Sequence, residues 1–261
     1  MTDDARRNGG KGLDGKVALI TGGGTGIGRA AALGFARRGA SVVVAGRRQA
    51  ELEAVVAEIM DGGGEAAAIV ADTSVEADIL ALVAGVVERF GRLDAAFNNA
   101  AVSNFGFIDS MTAADFDTVM NTNARGVWLL IRQEVIAMRA LGIAGAIVNT
   151  SSTLASGGAA GASIYGASKG ALDAMIRPIA IEVGGDGIRI NNVSPGATRT
   201  PMTAGWPEEM FTAVQKHTPL ARVAEPDDVG EVAVWLCTDE ARFVTGQSIL
   251  VDGGYNIPGM R

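Results

Sequence analysis

From Val17 to Val251 the chain alternates short apolar runs with stretches of helical spacing. That rhythm is the strongest constraint on its fold. Strands separated by a helix cannot pair as tight hairpins. Each needs a crossover, so the strands lie parallel and helices cover both sheet faces. The strands are read as Val17–Thr21, Ser41–Ala45, Ala66–Val70, Leu93–Asn98, Ala146–Ser151, Ile188–Val193 and Gln247–Val251. Helical spacing predicts Ile27–Arg38, Gln49–Met60, Val75–Phe90, a long region Ala113–Ala140, Ile164–Val183 and Pro226–Thr238. Pro195 and Gly196 open an irregular stretch to about Arg222. The expectation is one doubly wound α/β domain over residues 16–261, with residues 1–15 a polar, glycine-rich flexible tail and residues 197–222 a lid.

Composition narrows the function. Hydrophobic residues make up 48% and charged ones 20%, enough for a large core. The net charge of −7 argues against nucleic acid or an anionic membrane as partner. No apolar run approaches membrane-spanning length. Cys237 is the only cysteine, which excludes an intrachain disulfide and fits a reducing, cytoplasmic setting. His217, the only histidine, sits in a polar Lys-His-Thr-Pro stretch and reads as solvated surface. No metal site is expected, because sites built on several His or Cys ligands are excluded by count.

The segment Thr21-Gly22-Gly23-Gly24-Thr25-Gly26-Ile27-Gly28 joins the first strand to the first helix. Missing side chains there let a pyrophosphate approach the backbone, and the helix N-terminus favours its charge. Gly22, Gly26 and Gly28 give Gly-x-x-x-Gly-x-Gly, which departs from the common dinucleotide fingerprint. The acid that grips a ribose 2′-hydroxyl normally follows the glycines by about 20 residues. Here that region reads Val42-Val43-Val44-Ala45-Gly46-Arg47-Arg48, and the first acid is Glu51. Cations disfavour a helix N-terminus. Two arginines in that place are better explained by a 2′-phosphate, hence NADP.

Tyr165 and Lys169 stand four apart at a helix start, on one face. Ser152 follows the fifth strand, and Asn123 lies in the long preceding helical region. Each has a plainer reading: a solvated helix pair, a turn cap, a kink residue. Taken together, the glycine spacing and these four residues resemble the short-chain dehydrogenase/reductase family, from Lys16 to Tyr255, including its 3-oxoacyl reductase-like members.

The resemblance implies a Rossmann-type sheet and a tetrad of Asn123, Ser152, Tyr165 and Lys169, with Asn123 holding a water that links Lys169 to solvent. It implies cofactor contacts from Gly22, Gly24, Thr25, Gly26, Ile27 and Gly28, then from Arg47 and Arg48. Asp72 would meet the adenine and Thr200 the nicotinamide carboxamide. Thr73, Asn99, Ala100, Pro195, Gly196 and Thr198 complete the set, with Tyr165 and Lys169 touching the cofactor as well. Ala101 stands where the family usually has Gly; a positive φ there would cost about 1 kcal/mol. A homotetramer is implied, paired through the two long helices and the last strand.

The chemistry suits these residue types. Hydride arriving at a carbonyl carbon leaves negative charge on oxygen, so a proton donor must be in reach. Lowering a tyrosine from about 10 to about 7 takes about 4 kcal/mol. One ammonium at about 4 Å supplies roughly that at an effective dielectric of about 20, so Lys169 is expected to bring Tyr165 down. Ser152 would stabilise the developing charge. Phe105, Phe107, Met202, Trp206, Met210 and Phe211 would line a moderately hydrophobic pocket or pack the lid. The expected function is hydride transfer between NADP(H) and a small-molecule carbonyl or secondary alcohol. The alternatives are a 3-oxoacyl-(acyl-carrier-protein) reductase and a non-catalytic NADP-binding regulator. Against the carrier reading, Leu141–Gly145 and Val183–Asp186 contain no basic residue.

Overall fold

The computed structural model describes residues 12–257. Among them a seven-stranded parallel sheet runs in the order β3-β2-β1-β4-β5-β6-β7. The strands are β1 Val17–Thr21, β2 Ser41–Gly46, β3 Ala66–Val70, β4 Ala95–Asn98, β5 Ala146–Thr150, β6 Arg189–Pro195 and β7 Ser248–Val251. Strand order reverses between β1 and β4, so the crossovers leave on opposite faces there and open a crevice beyond the strand ends.

All five residues of β1 are buried, because helices cover both faces. On one side α1 (Gly26–Arg37), α2 (Gln49–Asp61) and α8 (Pro226–Leu236) enclose Ile20, Phe35, Val44, Phe97 and Val234. On the other, α3 (Glu76–Phe90), α5 (Val127–Leu141) and α6 (Ser163–Val183) enclose Leu19, Leu82, Leu130, Leu172 and Ile190.

Four expectations change. First, the region 113–140 is not one α-helix: α4 (Ala113–Met120) passes through a π turn, Asn121–Gly126, into α5. The turn brings Gly126 so close to the loop after β3 that a Cβ would strike the Thr73 carbonyl. Second, the irregular stretch contains α7, Glu208–His217, with acids in its first turn and Lys216 and His217 in its last. The charges of Glu208, Glu209 and Lys216 complement the helix dipole. Third, Leu13 belongs to the domain rather than to a tail. It is 4% exposed, packs in the first core, and its amide donates to the Arg38 carbonyl; residues 1–11 of the expected tail lie outside the described residues. Fourth, Ala101 avoids the left-handed region, since the only non-glycine with positive φ among the described residues is Ala221. His217 is exposed as expected and meets the Tyr255 ring edge-on at 4.8 Å.

The β1–α1 turn is held by one close approach. Gly28 packs so tightly on the turn that a Cβ would run into the Gly22 carbonyl oxygen and the Asn99 amide. Gly28→Ala must therefore push the helix off the strand end. Overpacking of this kind costs about 3 kcal/mol, which urea unfolding would read. Stability equal to the wild type would show that the seam yields freely.

Candidate active site

The carboxyl ends of the strands open into one cavity of about 930 Å³. Gly22, Gly24, Thr25, Gly26 and Ile27 form one wall. Gly28 stands behind it as a spacer. Gly22 and Gly26 adopt φ of +63° and +52°, a region that favours glycine. Thr25 is the N-cap of α1, yet its side chain makes no capping bond, and no acid lies in the first turn. The first amides of α1 are thus left for an anion.

Arg47 and Arg48 reach the same cavity from the end of β2. They are 67% and 63% exposed. Arg47 lies 3.9 Å from the Asp72 carboxylate. Arg48 pairs with Glu51 at 2.6 Å and donates to the Thr25 hydroxyl at 3.3 Å, spanning from β2 to the glycine turn. Burial acts to raise the Asp72 carboxyl, but the Ser74 amide and hydroxyl and the Arg47 guanidinium outweigh it and hold it below its ordinary value. This part of the cavity therefore presents cations, a glycine cradle and an uncapped helix start, a set that fits a dinucleotide carrying an extra phosphate.

Asp72, Thr73, Asn99 and Ala100 continue the wall, and Pro195, Gly196, Thr198 and Thr200 close it from the β6 side. Asn99 is also a fastener. Its backbone amide and that of Ala100 donate to the Thr21 hydroxyl at 3.1 and 3.2 Å. Its side-chain amide donates to the carbonyls of Thr21 and Gly22, and its carbonyl accepts from the Thr150 hydroxyl.

Ser152, Tyr165 and Lys169 line the cavity together. Ser152, just past β5, also caps the 3-10 turn Thr153–Ala155 by accepting from the Leu154 amide at 3.1 Å. The plainer reading of this residue and its place in the site are both true. Lys169 is 1% exposed; its Nζ donates to the Thr150 carbonyl at 2.6 Å and lies 5.6 Å from the Tyr165 ring centre. Burial lowers Lys169 to about 8, with Asp173 one turn along α6 working to raise it. Tyr165 differs from expectation. Burial pushes its phenol up to about 12, and the Ser152 hydroxyl only partly offsets this. The ammonium is anchored on the Thr150 carbonyl and does not offset that desolvation.

Asn123 is fully buried and does not line the cavity. Its carbonyl accepts from the Val102 amide at 2.9 Å, and its amide donates to the Val102 carbonyl and the Ser168 hydroxyl at 2.8 and 3.1 Å. Ser168 in turn donates to the Tyr165 carbonyl. Asn123 thus clamps the loop after β4 to the helix that carries Tyr165.

At the far end, Phe105, Met202, Trp206 and Met210 line the cavity, and the Phe105 ring meets that of Tyr165 at 5.6 Å, tilted by 46°. Phe211 turns inward beneath Trp206 and the Arg199 guanidinium and packs the lid. Phe107 lies on a separate shallow groove. Sequence reasoning missed Tyr255, Ala159, Ala160 and Val214, which complete this end. It also missed Thr150, Ser151 and Asp173, which carry no motif of their own. Their signal is weak: Thr150 and Ser151 are polar residues at the end of a mainly apolar strand, and Asp173 is one acid on a long helix.

A family model described as Enoyl-(Acyl carrier protein) reductase matches residues 22–256. The A-factor type gamma-butyrolactone 1'-reductase (1S-forming) of Streptomyces virginiae is 42% identical over 252 residues, covering 94% of this chain and 97% of that protein. The 3-oxoacyl-(acyl-carrier-protein) reductase of Thermotoga maritima is 36% identical over 242 residues, covering 93% and 98%. Among solved structures, a short-chain dehydrogenase from Burkholderia cenocepacia in complex with NADP superposes with a TM-score of 0.87 at 36% identity, covering 94% of this chain and 99% of that one. Matches at this level run over nearly the whole length: the chain belongs to the short-chain dehydrogenase/reductase family.

Proposed function

We propose that this chain is an oxidoreductase interconverting a ketone and a secondary alcohol, with NADP(H) as hydride carrier. The observation that carries the reading is one cavity that holds the glycine turn and Arg47 at one end and Ser152, Tyr165 and Lys169 at the other. When bound, the nicotinamide supplies or accepts the hydride. The rest is the work of side chains. Tyr165 keeps its proton through neutral pH and so stands ready as the donor to a carbonyl oxygen. The Ser152 hydroxyl steadies the charge developing on that oxygen. Lys169, charged below about 8, stabilises the phenolate left behind. Because the Asn123 side chain is spent on Val102 and Ser168, holding a water falls to its backbone carbonyl in the π turn, where the α-helical ladder is interrupted.

The substrate end favours a neutral, apolar carbonyl compound. The charged residues lining the cavity are Arg47, Arg48, Glu51, Asp72 and Lys169, and only Lys169 belongs to the reacting end. A relative named as a reductase of a gamma-butyrolactone accords with this. A carrier-bound 3-oxoacyl substrate is the second reading, favoured by the Thermotoga maritima relative. Against it, Arg139, the arginine nearest the two unbasic segments, is committed to Asp186 at 2.7 Å and to the Glu182 carbonyl. A regulator without catalysis would have no use for Tyr165 and Lys169 side by side. Self-assembly into a homotetramer rests on apolar side chains presented along the long helices and last strand: Phe116, Trp128, Ile136, Ile181 and Leu250. A cytoplasmic setting rests on the single cysteine. No helix among the described residues is long and apolar enough to cross a membrane.

Tyr165→Phe keeps the ring and removes only the proton. It should lower turnover of a ketone panel with NADPH by about 100-fold or more, while NADPH affinity stays within about twofold. Retention of a tenth of the activity would refute the role of Tyr165.

The Lys169 value sets the pH profile. Its charge is complete below about 8 and lost as pH rises through it, so kcat/KM for reduction should be level near neutrality and fall above about 8. Asp173→Asn removes the charge that supports the ammonium and should move that fall to lower pH. A profile insensitive to the substitution would separate Lys169 from the limb.

Arg47 is given the larger share of the 2′-phosphate, since a guanidinium can hold a phosphate by two bonds at once. A charge-assisted contact is worth roughly 1.5–3 kcal/mol, or about 10- to 150-fold in affinity. Arg47→Ala should weaken NADPH binding by about that factor with little effect on NADH. An unchanged ratio between the cofactors would remove Arg47 from the assignment.

A further inference from the structure

Beneath the cavity floor, one level of the sheet is polar where the next level on the same face, Ala96, Ile147 and Ile190, is apolar. Asn98 on β4 pairs in register with Asn149 on β5, Asn149 with Asn192 on β6, and Asn192 with Ser248 on β7. The three asparagines are at most 2% exposed. All point to the face covered by α5 and α6, and each of those helices supplies one acid. Glu134 on α5, with no exposed surface, meets Asn98, and Asp173 on α6 meets Asn192.

The hydrogen bonds along this row run one way. The Asn98 amide donates to the Asn149 carbonyl at 3.1 Å, and the Asn149 amide donates to the Asn192 carbonyl at 3.0 Å. The Asn192 amide then donates to Asp173 Oδ1 at 2.9 Å. The same oxygen accepts from the hydroxyls of Ser151 and Ser248, each at 2.8 Å. A carboxylate oxygen collecting three donors fixes the direction: every amide turns its N–H toward Asp173 and its oxygen away.

That direction creates a demand at the other end. The second hydrogen of the Asn98 amide goes to Glu134 Oε2 at 3.1 Å. Asn98 Oδ1 and Glu134 Oε1 are then both buried with no hydrogen-bond partner. Two buried acceptors left over from one contacting pair would each cost roughly 1–3 kcal/mol. A single proton between them satisfies both.

We propose that Glu134 is a neutral carboxylic acid in the folded protein, its proton donated to Asn98 Oδ1, so that a cyclic acid–amide pair starts the one-way chain that ends on Asp173 beside Lys169. Asp173 holds Ser151, the neighbour of Ser152, and supports the Lys169 charge. Glu134 is therefore a positioning residue for the reacting end of the cavity, acting through three amides.

The surroundings agree. Burial raises the Glu134 carboxyl to about 8, with the Asn98 hydrogen bond opposing it and no charged neighbour contributing. Cys237, beyond the sheet at the end of α8, feels the Glu134 charge, but burial keeps its own thiol protonated to about 12. Asp173 and Lys169 lie at the far end of the row. The sign of the linkage follows. The folded state binds this proton more tightly than the unfolded chain, whose ordinary value is 4.5. Stability from it is complete below 4.5 and is lost progressively as pH rises to about 8.

The test compares the full chain with Glu134→Gln and Glu134→Leu. Gln offers an N–H to Asn98 Oδ1 and a carbonyl to its amide, so it copies the neutral acid and nothing of the anion. The infrared difference between wild type and Glu134→Gln at about pH 7, where an ordinary glutamate is ionised, should contain the carbonyl stretch of a protonated carboxyl. The melting temperature of Glu134→Gln should rise relative to wild type from about pH 5 to about pH 8. A carboxylate band in its place, a constant gap across that pH range, or failure of Glu134→Gln to fold would each overturn the neutral acid. The kinetic arm alone rests on the proposed hydride transfer. There, kcat should fall severalfold in Glu134→Leu at unchanged KM for NADPH and be retained in Glu134→Gln. Equal kcat in both variants would overturn the positioning role while leaving the infrared result standing.

Discussion

Three side chains at the reversal of strand order hold the rest in place. Thr21, Asn99 and Thr150 tie the ends of β1, β4 and β5 together by hydrogen bonds, at the one point where the crossovers diverge to opposite faces. A sheet opened there without such ties would leave strand-end amides and carbonyls facing a crevice with nothing to pair them. With the ties made, the glycine turn is seated against β4, and the Thr150 carbonyl is presented to Lys169. The glycine turn and the Ser152–Tyr165–Lys169 cluster are thereby parts of one rigid edge.

On that edge, burial and charge are set against each other. Desolvation alone would strip Lys169 of its proton and keep Tyr165 in its neutral form. The fold answers with a carbonyl, a carboxylate one turn away, and a hydroxyl opposite the phenol. None of the three is large by itself in a site this dry. Their joint effect leaves a lysine that stays charged at neutral pH beside a tyrosine that stays protonated, the combination on which the proposed proton transfer rests.

Much of this was legible in the residue order. Strand and helix positions followed from apolar periodicity, because strands buried on both faces leave little choice of residue. The cavity residues followed from spacing: glycines after β1, arginines after β2, Ser152 after β5, and Tyr165 and Lys169 on one helical face. What escaped notice depended on pairings remote in sequence. Asn98, Asn149 and Asn192 lie about fifty residues apart and become neighbours only through strand register. Glu134 looks like any polar residue on a helix until α5 turns it inward. Tyr165 was expected to be acidified by Lys169. Spacing placed the pair on one face but could not weigh desolvation against it, and the anchoring of the ammonium on Thr150 shows only in three dimensions. Helix α7 had its signals, an acidic start and a basic end, but the glycine and prolines around it masked them.

The π turn between α4 and α5 has a consequence of its own. Successive residues of an α-helix advance by about 100° around the axis, and a wider turn takes up one residue more than the α-helical count. Met120 and Val127 are thus phased by the number of residues between them as much as by their identity. Removing any one residue from 121–126 would let the region relax into an unbroken α-helix. The wider turn absorbs that extra residue, so the halves carrying Val119 and Leu130 would keep their phase, and what would be lost is the local geometry that sets Asn123 against Val102 and Ser168. In a plain α-helix a single deletion would rotate everything beyond it by about 100°, whereas here the π turn takes up the extra residue and spares both faces. In this stretch of the chain, length itself is information.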